Sequence, residues 1–294
     1  MSKAIKRPKH FHQWLLIGVG IALTILLLIL PLTLIFTQAF SGGLQLLWAN
    51  LNEDFMQHAL KLTLLVAVLT VPINLVFGIL LAWCVTHYDF IGRRLLITLV
   101  EIPYATSPVV AGFCYLVVYG VEGIVGKYLY AHDIQLMFAW PGIIMVTVFV
   151  TAPYIARILM PLMQKQGTEE EIAALSLGAS GWKIFSRITL PNIKWALLYG
   201  AVITNARAVG EFGSVAVVSG TIMNQTLTLP LLVEQLNNDY KTAAAFTAAA
   251  VLACMALITL VLKTIMEWRQ EQREDAANLA SPENMTIHTP PSRQ

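Results

Sequence analysis

Long apolar stretches separated by short polar ones dominate this chain. Six of them match the length of about 20 residues that a helix needs to cross a bilayer: residues 15–36, 62–86, 95–121, 134–156, 195–219 and 242–262. The first two contain no charged residue, the third contains only Glu101, and the fifth contains Arg207 and Glu211. Apolar residues fill whole turns in these stretches instead of alternating every second position, so the pattern predicts helices and not strands. Residues 15–36 are too long for the core of a signal peptide and are followed by no A-x-A site, so they are expected to remain as an anchor.

Composition agrees with that pattern. Of 294 residues, 57% are hydrophobic and only 12% are charged, against about 25% charged in soluble proteins. A water-soluble globule cannot cover itself with so few charges. A soluble enzyme, a secreted disulfide scaffold and a disordered chain are excluded as readings of the whole, and the fold class is an all-α membrane protein with six transmembrane helices.

The net charge of +2 says little, but its placement says more. With the N-terminus inside, the inner segments hold 15 of the 19 Lys and Arg residues, and the outer ones only Lys127 and Lys241. Basic residues concentrate on the cytoplasmic side, so both termini are expected there. Cys84, Cys114 and Cys254 lie far apart in or beside apolar runs and read as packing residues. The histidines show no metal-site spacing, and no nucleic-acid partner is expected.

The connections divide the chain further. Residues 1–57 comprise a basic tail, the first span and an outer loop, whose residues 44–51 can lie along the membrane surface. The core runs over residues 58–266. After Glu267 the chain turns polar, and residues 267–294 are expected to be a flexible cytoplasmic tail.

The largest inner segment carries the most specific pattern. Thr168 stands before Glu169, Glu170 and Glu171, which suits the N-terminus of a short helix. Gly178 is placed to end that helix in a left-handed conformation. Ser180 can cap a second short helix, and Pro191 helps to end it before the fifth span. Ile172, Leu175, Trp182 and Phe185 supply the apolar contacts of a knob that reads as a protein-docking element.

The segment resembles the EAA loop of the permeases of bacterial ABC importers, E-A-A-x-x-x-G followed by nine residues and I-x-L-P. Ala173, Ala174, Gly178, Ile188, Leu190 and Pro191 occupy matching positions. Ile172 stands where the motif has Glu, with Glu170 and Glu171 just before it, so the sequence leaves open which acid takes that role. The resemblance extends over about residues 58–266. Glu101-Ile102-Pro103-Tyr104-Ala105-Thr106-Ser107-Pro108 is similar to the third-span motif of sulfate and molybdate permeases, and Asn205-Ala206-Arg207-Ala208-Val209-Gly210-Glu211-Phe212-Gly213 to their fifth-span motif. With Leu177-Gly178-Ala179-Ser180-Gly181-Trp182, the chain resembles most the CysW-type permease subunits of sulfate/thiosulfate importers.

That resemblance implies a type I ABC importer permease fold with a coupling loop at residues 165–191. Glu170, Glu171, Ala173, Ala174, Gly178, Ser180, Ile188, Leu190 and Pro191 would form its contact with a separate ATPase. It implies as partners a second, homologous permease, an ATPase dimer and a periplasmic sulfate/thiosulfate-binding protein, all in or at the bacterial inner membrane. ATP and Mg would sit on the ATPase, with no cofactor on this chain. The residues themselves agree on one point: the only Gly-Lys pair, Gly126-Lys127, lacks the rest of a P-loop.

Two polar groups inside the spans are candidates for the substrate pathway or gate. Arg207 and Glu211 stand four apart, on one face of a continuous helix, either as a structural ion pair or as a positive field for an anion; Asn205 lies beside them. Thr106, Ser107 and Pro108 form the second group, where prolines can free backbone N–H groups toward a cavity, or simply kink the helix. Gly210 and Gly213 would permit close helix approach. Pro31, Pro72, Pro141 and Pro153 read as kinks. Two other readings remain, one within the class, a permease for molybdate, tungstate or another oxyanion, and one from a different class, a channel or secondary transporter without ATPase; an intramembrane enzyme lacks any supporting motif.

Overall fold

The computed structural model describes residues 11–279, and every regular element among them is a helix. In chain order these are α1 (Phe11–Thr24), a first π turn (Ile25–Ile29), α2 (Leu30–Ala39), α3 (Gly43–Asn52), α4 (Asp54–His87), α5 (Arg93–Ala105) and α6 (Pro108–Tyr119). They continue with α7 (Gly126–Tyr130), α8 (Trp140–Gln166), α9 (Glu169–Ser176), α10 (Gly181–Ile184), a second π turn (Phe185–Thr189) and α11 (Leu190–Val209). The last are α12 (Gly213–Ser219), α13 (Leu229–Asn238) and α14 (Thr242–Leu279). Lys3, Lys6, Arg7 and Lys9 of the basic tail, and residues 280–294 of the polar one, lie outside the described residues; α14 itself continues past Glu267 to Leu279.

Among the described residues, four helical stretches are long and apolar enough to cross a membrane: Trp14–Ala39, Asp54–His87, Trp140–Gln166 and Thr242–Arg269. The third and fifth sequence-predicted spans are not continuous. α5 and α6 meet at 108°, and the run Gly181–Val209 meets α12 at 54°. The first break follows from Pro108, whose ring disfavours helical backbone at the residue before it; Thr106 and Ser107 are extended, with ψ of 143° and 134°. Pro108 then opens α6, where its missing N–H costs no intrahelical bond. The second break spans Gly210 to Phe212.

The prolines correct several expectations. Pro141 is no kink: it sits in the first turn of α8. Pro191 does not end α10; the helix runs on through the second π turn into α11. Pro31 and Pro191 share one device. Each stands one residue after a leucine whose N–H reaches back five residues, Leu30 to the Ile25 carbonyl and Leu190 to that of Phe185. A proline ring collides with the carbonyl four residues earlier, and widening the turn that holds this carbonyl lets the helix continue. Pro72 and Pro153 lie inside α4 and α8, which continue past them.

α4 packs along both α8 and α11, and α8 is the most deeply buried long helix. One core cluster lies toward the Asp54 end of α4, built on Met56, Leu62, Ile143, Val218, Leu229 and Leu232. A second lies toward the His87 end, built on Leu81, Val85, Ile155, Leu159 and Ile193. The outer faces of the long helices carry exposed apolar side chains such as Leu16, Leu28, Val68, Leu80 and Ile258, far more than a soluble surface carries in contiguous patches. α3 follows the same pattern, with Leu44 and Trp48 exposed.

Candidate functional site

The loop after α8 forms helix, glycine turn, helix. Gly178 has φ +82°. Its N–H donates to the Leu175 carbonyl (2.9 Å) and the Ala179 N–H to that of Ala174 (3.0 Å), the paired bonds of a Schellman cap. No atom lies within 4 Å of the place a Gly178 Cβ would occupy, so the glycine is required by backbone conformation and not by crowding. The helix starts are less orthodox. Neither Thr168 nor Ser180 makes a side-chain capping bond, although Ser180 has the extended backbone (ψ 153°) of an N-cap. At the first helix, the acidic turn Glu169–Glu170–Glu171 meets the positive end of the dipole instead.

The three acids separate by what they touch. Glu171 turns inward: its Oε2 lies 2.7 Å from His87 Nε2 at the end of α4, and its Oε1 accepts from Thr189 Oγ1 at 2.5 Å. Glu170 accepts from Asn192 Nδ2 at 2.8 Å. These residues line a cavity of about 270 Å3 with Met163, Gln166 and Ile188. Trp83 of α4 stacks on Phe185 with ring centroids 4.8 Å apart. The loop is thereby tied to the end of α4 by one polar and one aromatic contact, and of the two candidate acids Glu171 makes the anchor.

Its other face is apolar and bare. Ile172 is 58% exposed, Leu175 63%, Leu177 89% and Trp182 75%. Ala173 and Ser180 are also exposed; Ala174, Ile188 and Leu190 are half-buried, and Pro191 is exposed. Phe185 alone of the apolar residues expected at the surface of the knob turns inward.

The second candidate region forms where the two helix breaks meet. α6 packs on α12. A Cβ at Gly112 would come within 2.6 Å of the Ser214 carbonyl oxygen, and one at Gly213 within 3.3 Å of Pro108 Cβ. Gly210 makes no such approach; a Cβ there would meet only the carbonyl of Ala206 in its own helix. Arg207 and Glu211 do pair, at 3.1 Å between Nη2 and Oε2, but not along a continuous helix. α11 ends at Val209, and Glu211 lies in the break with its side chain 1% exposed. Its Oε1 accepts from the Ser214 N–H (3.2 Å) and hydroxyl (2.7 Å), holding the first turn of α12.

Thr106 and Ser107 occupy the neighbouring break. The Thr106 hydroxyl donates to the Ile102 carbonyl at 2.7 Å, so its proton is committed to its own helix. Ser107 is exposed and makes no capping bond. Asn205 is half-buried on α11, two residues before Arg207 and hence on a different face. Glu101, the single charge of the third stretch, lies 4.0 Å from Arg157, whose guanidinium stacks over Tyr104. Among the described residues no group of three or more His, Cys, Asp or Glu is placed to hold a metal ion.

Sequence reasoning missed His87, Thr189 and Asn192 around the loop, and Gly112 and Ser214 at the seam as contacts. His87 is 84 residues from Glu171, so no local pattern joins them. The one available signal was a histidine ending an otherwise uncharged span.

Comparison with known proteins points one way. The family described as binding-protein-dependent transport system inner membrane component matches residues 74–272. The chain is 54% identical to the sulfate transport system permease protein CysW of Escherichia coli K12, over 92% of this chain and 93% of that one. It is 46% identical to the CysW protein of Synechocystis, covering 90% and 96%. The E. coli sulfate permease protein CysT is 33% identical, covering 85% and 90%. Among solved structures, a chain of a bacterial ABC transporter that imports alginate superposes with a TM-score of 0.71 at 19% identity, over 89% of this chain and 96% of that one.

Proposed function

The chain belongs to the binding-protein-dependent transport system inner membrane components, and from that premise we propose that it moves sulfate or thiosulfate inward through the bacterial inner membrane, driven by a separate ATPase. Relatives named as sulfate permeases, 54% and 46% identical over nearly their whole length, support the substrate. The observation that carries the coupling is the loop after α8: an apolar tip of Ile172, Leu175, Leu177 and Trp182, held on a glycine-capped helix and pinned to α4 by Glu171. Such a tip, exposed on a polar loop beside acidic residues, fits docking into a second protein.

In this reading each bent pair of helices is one span, giving six, with both termini cytoplasmic, an orientation that the distribution of Lys and Arg supports. ATP and Mg belong to the ATPase dimer. Its closure moves the Gly178 turn, and Glu171 and the Trp83–Phe185 stack transmit that motion to α4. A second permease of the kind represented by CysT completes the pathway, and a periplasmic binding protein delivers the anion. Within the membrane, Arg207 supplies positive potential, and Glu211 keeps it from binding the anion too tightly. The tight α6–α12 seam lets the two broken spans move together.

The test is uptake of labelled sulfate by cells expressing this chain with its neighbouring subunits, in competition with unlabelled thiosulfate, molybdate and phosphate. Competition by thiosulfate alone, with uptake abolished by Gly178→Asp, is the expected result. Entry of molybdate instead of sulfate would overturn the substrate, and normal uptake by a well-expressed Gly178→Asp protein would overturn the coupling.

A further inference from the structure

The fourth apolar run of the sequence ends at Ala156, but α8 continues to Gln166, so Arg157 stands inside a helix and not in the loop after it. Its depth follows from register. Asn74 of α4 donates to Thr151 of α8 at 2.6 Å, and one turn on, a Cβ at Gly78 would come within 2.5 Å of Ile155. α4 therefore runs parallel to α8. On α11, a Cβ at Gly200 would lie 3.4 Å from the same Ile155, while the Asn192 carbonyl accepts from Gln166 at 3.3 Å, so α11 runs the other way. Two residues past Ile155, Arg157 is level with Leu80 and Leu198, which are 64% and 49% exposed. Outward-facing leucines on both neighbouring helices mark that level as hydrocarbon in the six-span reading, where a charged side chain facing lipid is costly. Yet the side chains of Arg157 and of its neighbour Glu101 on α5 are 46% and 53% exposed.

Arg157 does not escape toward the end of α8, which lies nine residues, about 13 Å of helix, away. Its guanidinium lies over the Tyr104 ring, 4.4 Å from the centroid. The same ring packs edge-on against Tyr154, three residues nearer the start of α8. The side chain thus reaches back toward the middle of the bilayer, the direction in which helical side chains lean. Its tie to Glu101 is loose: Nε and Oε1 stand 4.0 Å apart, a Coulombic contact and not a hydrogen bond. Among the described residues no acceptor takes a hydrogen bond from this guanidinium. Arg207 differs, being held at 3.1 Å by a buried carboxylate.

We propose that Arg157 is an anion-binding residue of the transport pathway: laid flat on Tyr104 with its donors free, it takes an oxyanion such as sulfate or thiosulfate. The proposal rests on the transport role argued above and adds to it a residue that touches the cargo. Two parallel N–H groups of a guanidinium match two oxygens of such an anion. Glu101, close enough to be felt and too far to occupy those donors, competes with the anion and lets it leave. A face carrying this pair is covered by water and not by lipid, so it lines the passage between this chain and the second permease.

The test uses the assembled complex, with its partner permease, ATPase and binding protein, in lipid nanodiscs that leave both faces open to reagents. In a chain carrying Cys84→Ala, Cys114→Ala and Cys254→Ala, Tyr104→Cys places a thiol beside the guanidinium; Glu101→Cys serves if that variant does not assemble. Methanethiosulfonates of similar size, bearing a sulfonate or a trimethylammonium group, probe the thiol. The ratio of anionic to cationic rate is expected to be about tenfold higher with Arg157 than with Arg157→Gln. Added sulfate should slow the anionic reagent while Arg157 is present, a measurement that stands even if Arg157→Gln does not assemble. In cells, Arg157→Gln should lower uptake of labelled sulfate by about tenfold or more, the worth of a hydrogen bond to a charged group, while still retaining the ATPase on affinity purification. A thiol that neither reagent reaches would place this face against lipid or a dry contact with the second permease, and would overturn the proposal. Equal ratios in the two backgrounds, or normal uptake by an assembled Arg157→Gln complex, would do the same. A complex that shows the anion preference but imports neither sulfate nor thiosulfate would overturn the transport reading and leave the anion site standing.

Discussion

Gly178 and Glu211 act in opposite ways. Open space surrounds Gly178, so a side chain there meets only the cost of a left-handed backbone, about 1 kcal/mol. Gly178→Asp is therefore expected to insert at normal levels, seen by immunoblot of membranes, while its carboxylate enters the apolar tip beside Leu177 and Trp182 and abolishes uptake. Glu211 is almost fully enclosed and holds both Arg207 and the start of α12. Removing it leaves Arg207 without its partner, and Glu211→Ala should lower stability by about 3 kcal/mol, measured by thermal unfolding in detergent. Arg207→Ala leaves a buried carboxylate unpaired and should cost a similar amount. The double variant should lose clearly less than the sum of the two, because one interaction is counted in both. The i, i+4 spacing did reveal this pair. It did not reveal that the helix ends between the two residues, since Gly210 is tolerated inside helices as well as after them.

At the scale of elements, helix type was plain from the sequence, and continuity was not. Apolar runs as long as 95–121 and 195–219 describe one straight span and two helices meeting at an angle equally well. The break at Thr106–Ser107 was foreshadowed by Pro108, whereas the π turns before Leu30-Pro31 and Leu190-Pro191 had no visible sign beyond the prolines themselves. The seam of α6 and α12 is where the two bent helix pairs meet, and it depends on the missing side chain of Gly112. Gly112→Val would drive a branched side chain into the Ser214 backbone, 2.6 Å from where even a Cβ would sit. The expected cost is about 1–3 kcal/mol together with loss of transport. Gly18→Val on α1, where nothing lies within 4 Å, should change neither.

Over the whole molecule, the exposed apolar tip sets a separable expectation. Because Leu177 and Trp182 are 89% and 75% exposed, the pair Leu177→Glu and Trp182→Ala should leave thermal stability within about 0.5 kcal/mol of wild type. The same variant should no longer retain the ATPase on affinity purification. The sequence by itself determined that the chain is helical, that several of its stretches are long and apolar enough to cross a bilayer, and that one polar loop carries a helix, a glycine turn and a second helix. These follow from composition, run length and local turn chemistry, which act over a few residues and leave their mark wherever they act. Tertiary structure alone decided which acid anchors the loop, that His87 receives it, and that the two polar motifs share one seam. Those choices depend on residues from 18 to about a hundred positions apart being brought within a few ångströms by the packing of α4, α8, α11 and α12, and contact between distant residues has no local pattern by which a single sequence can announce it.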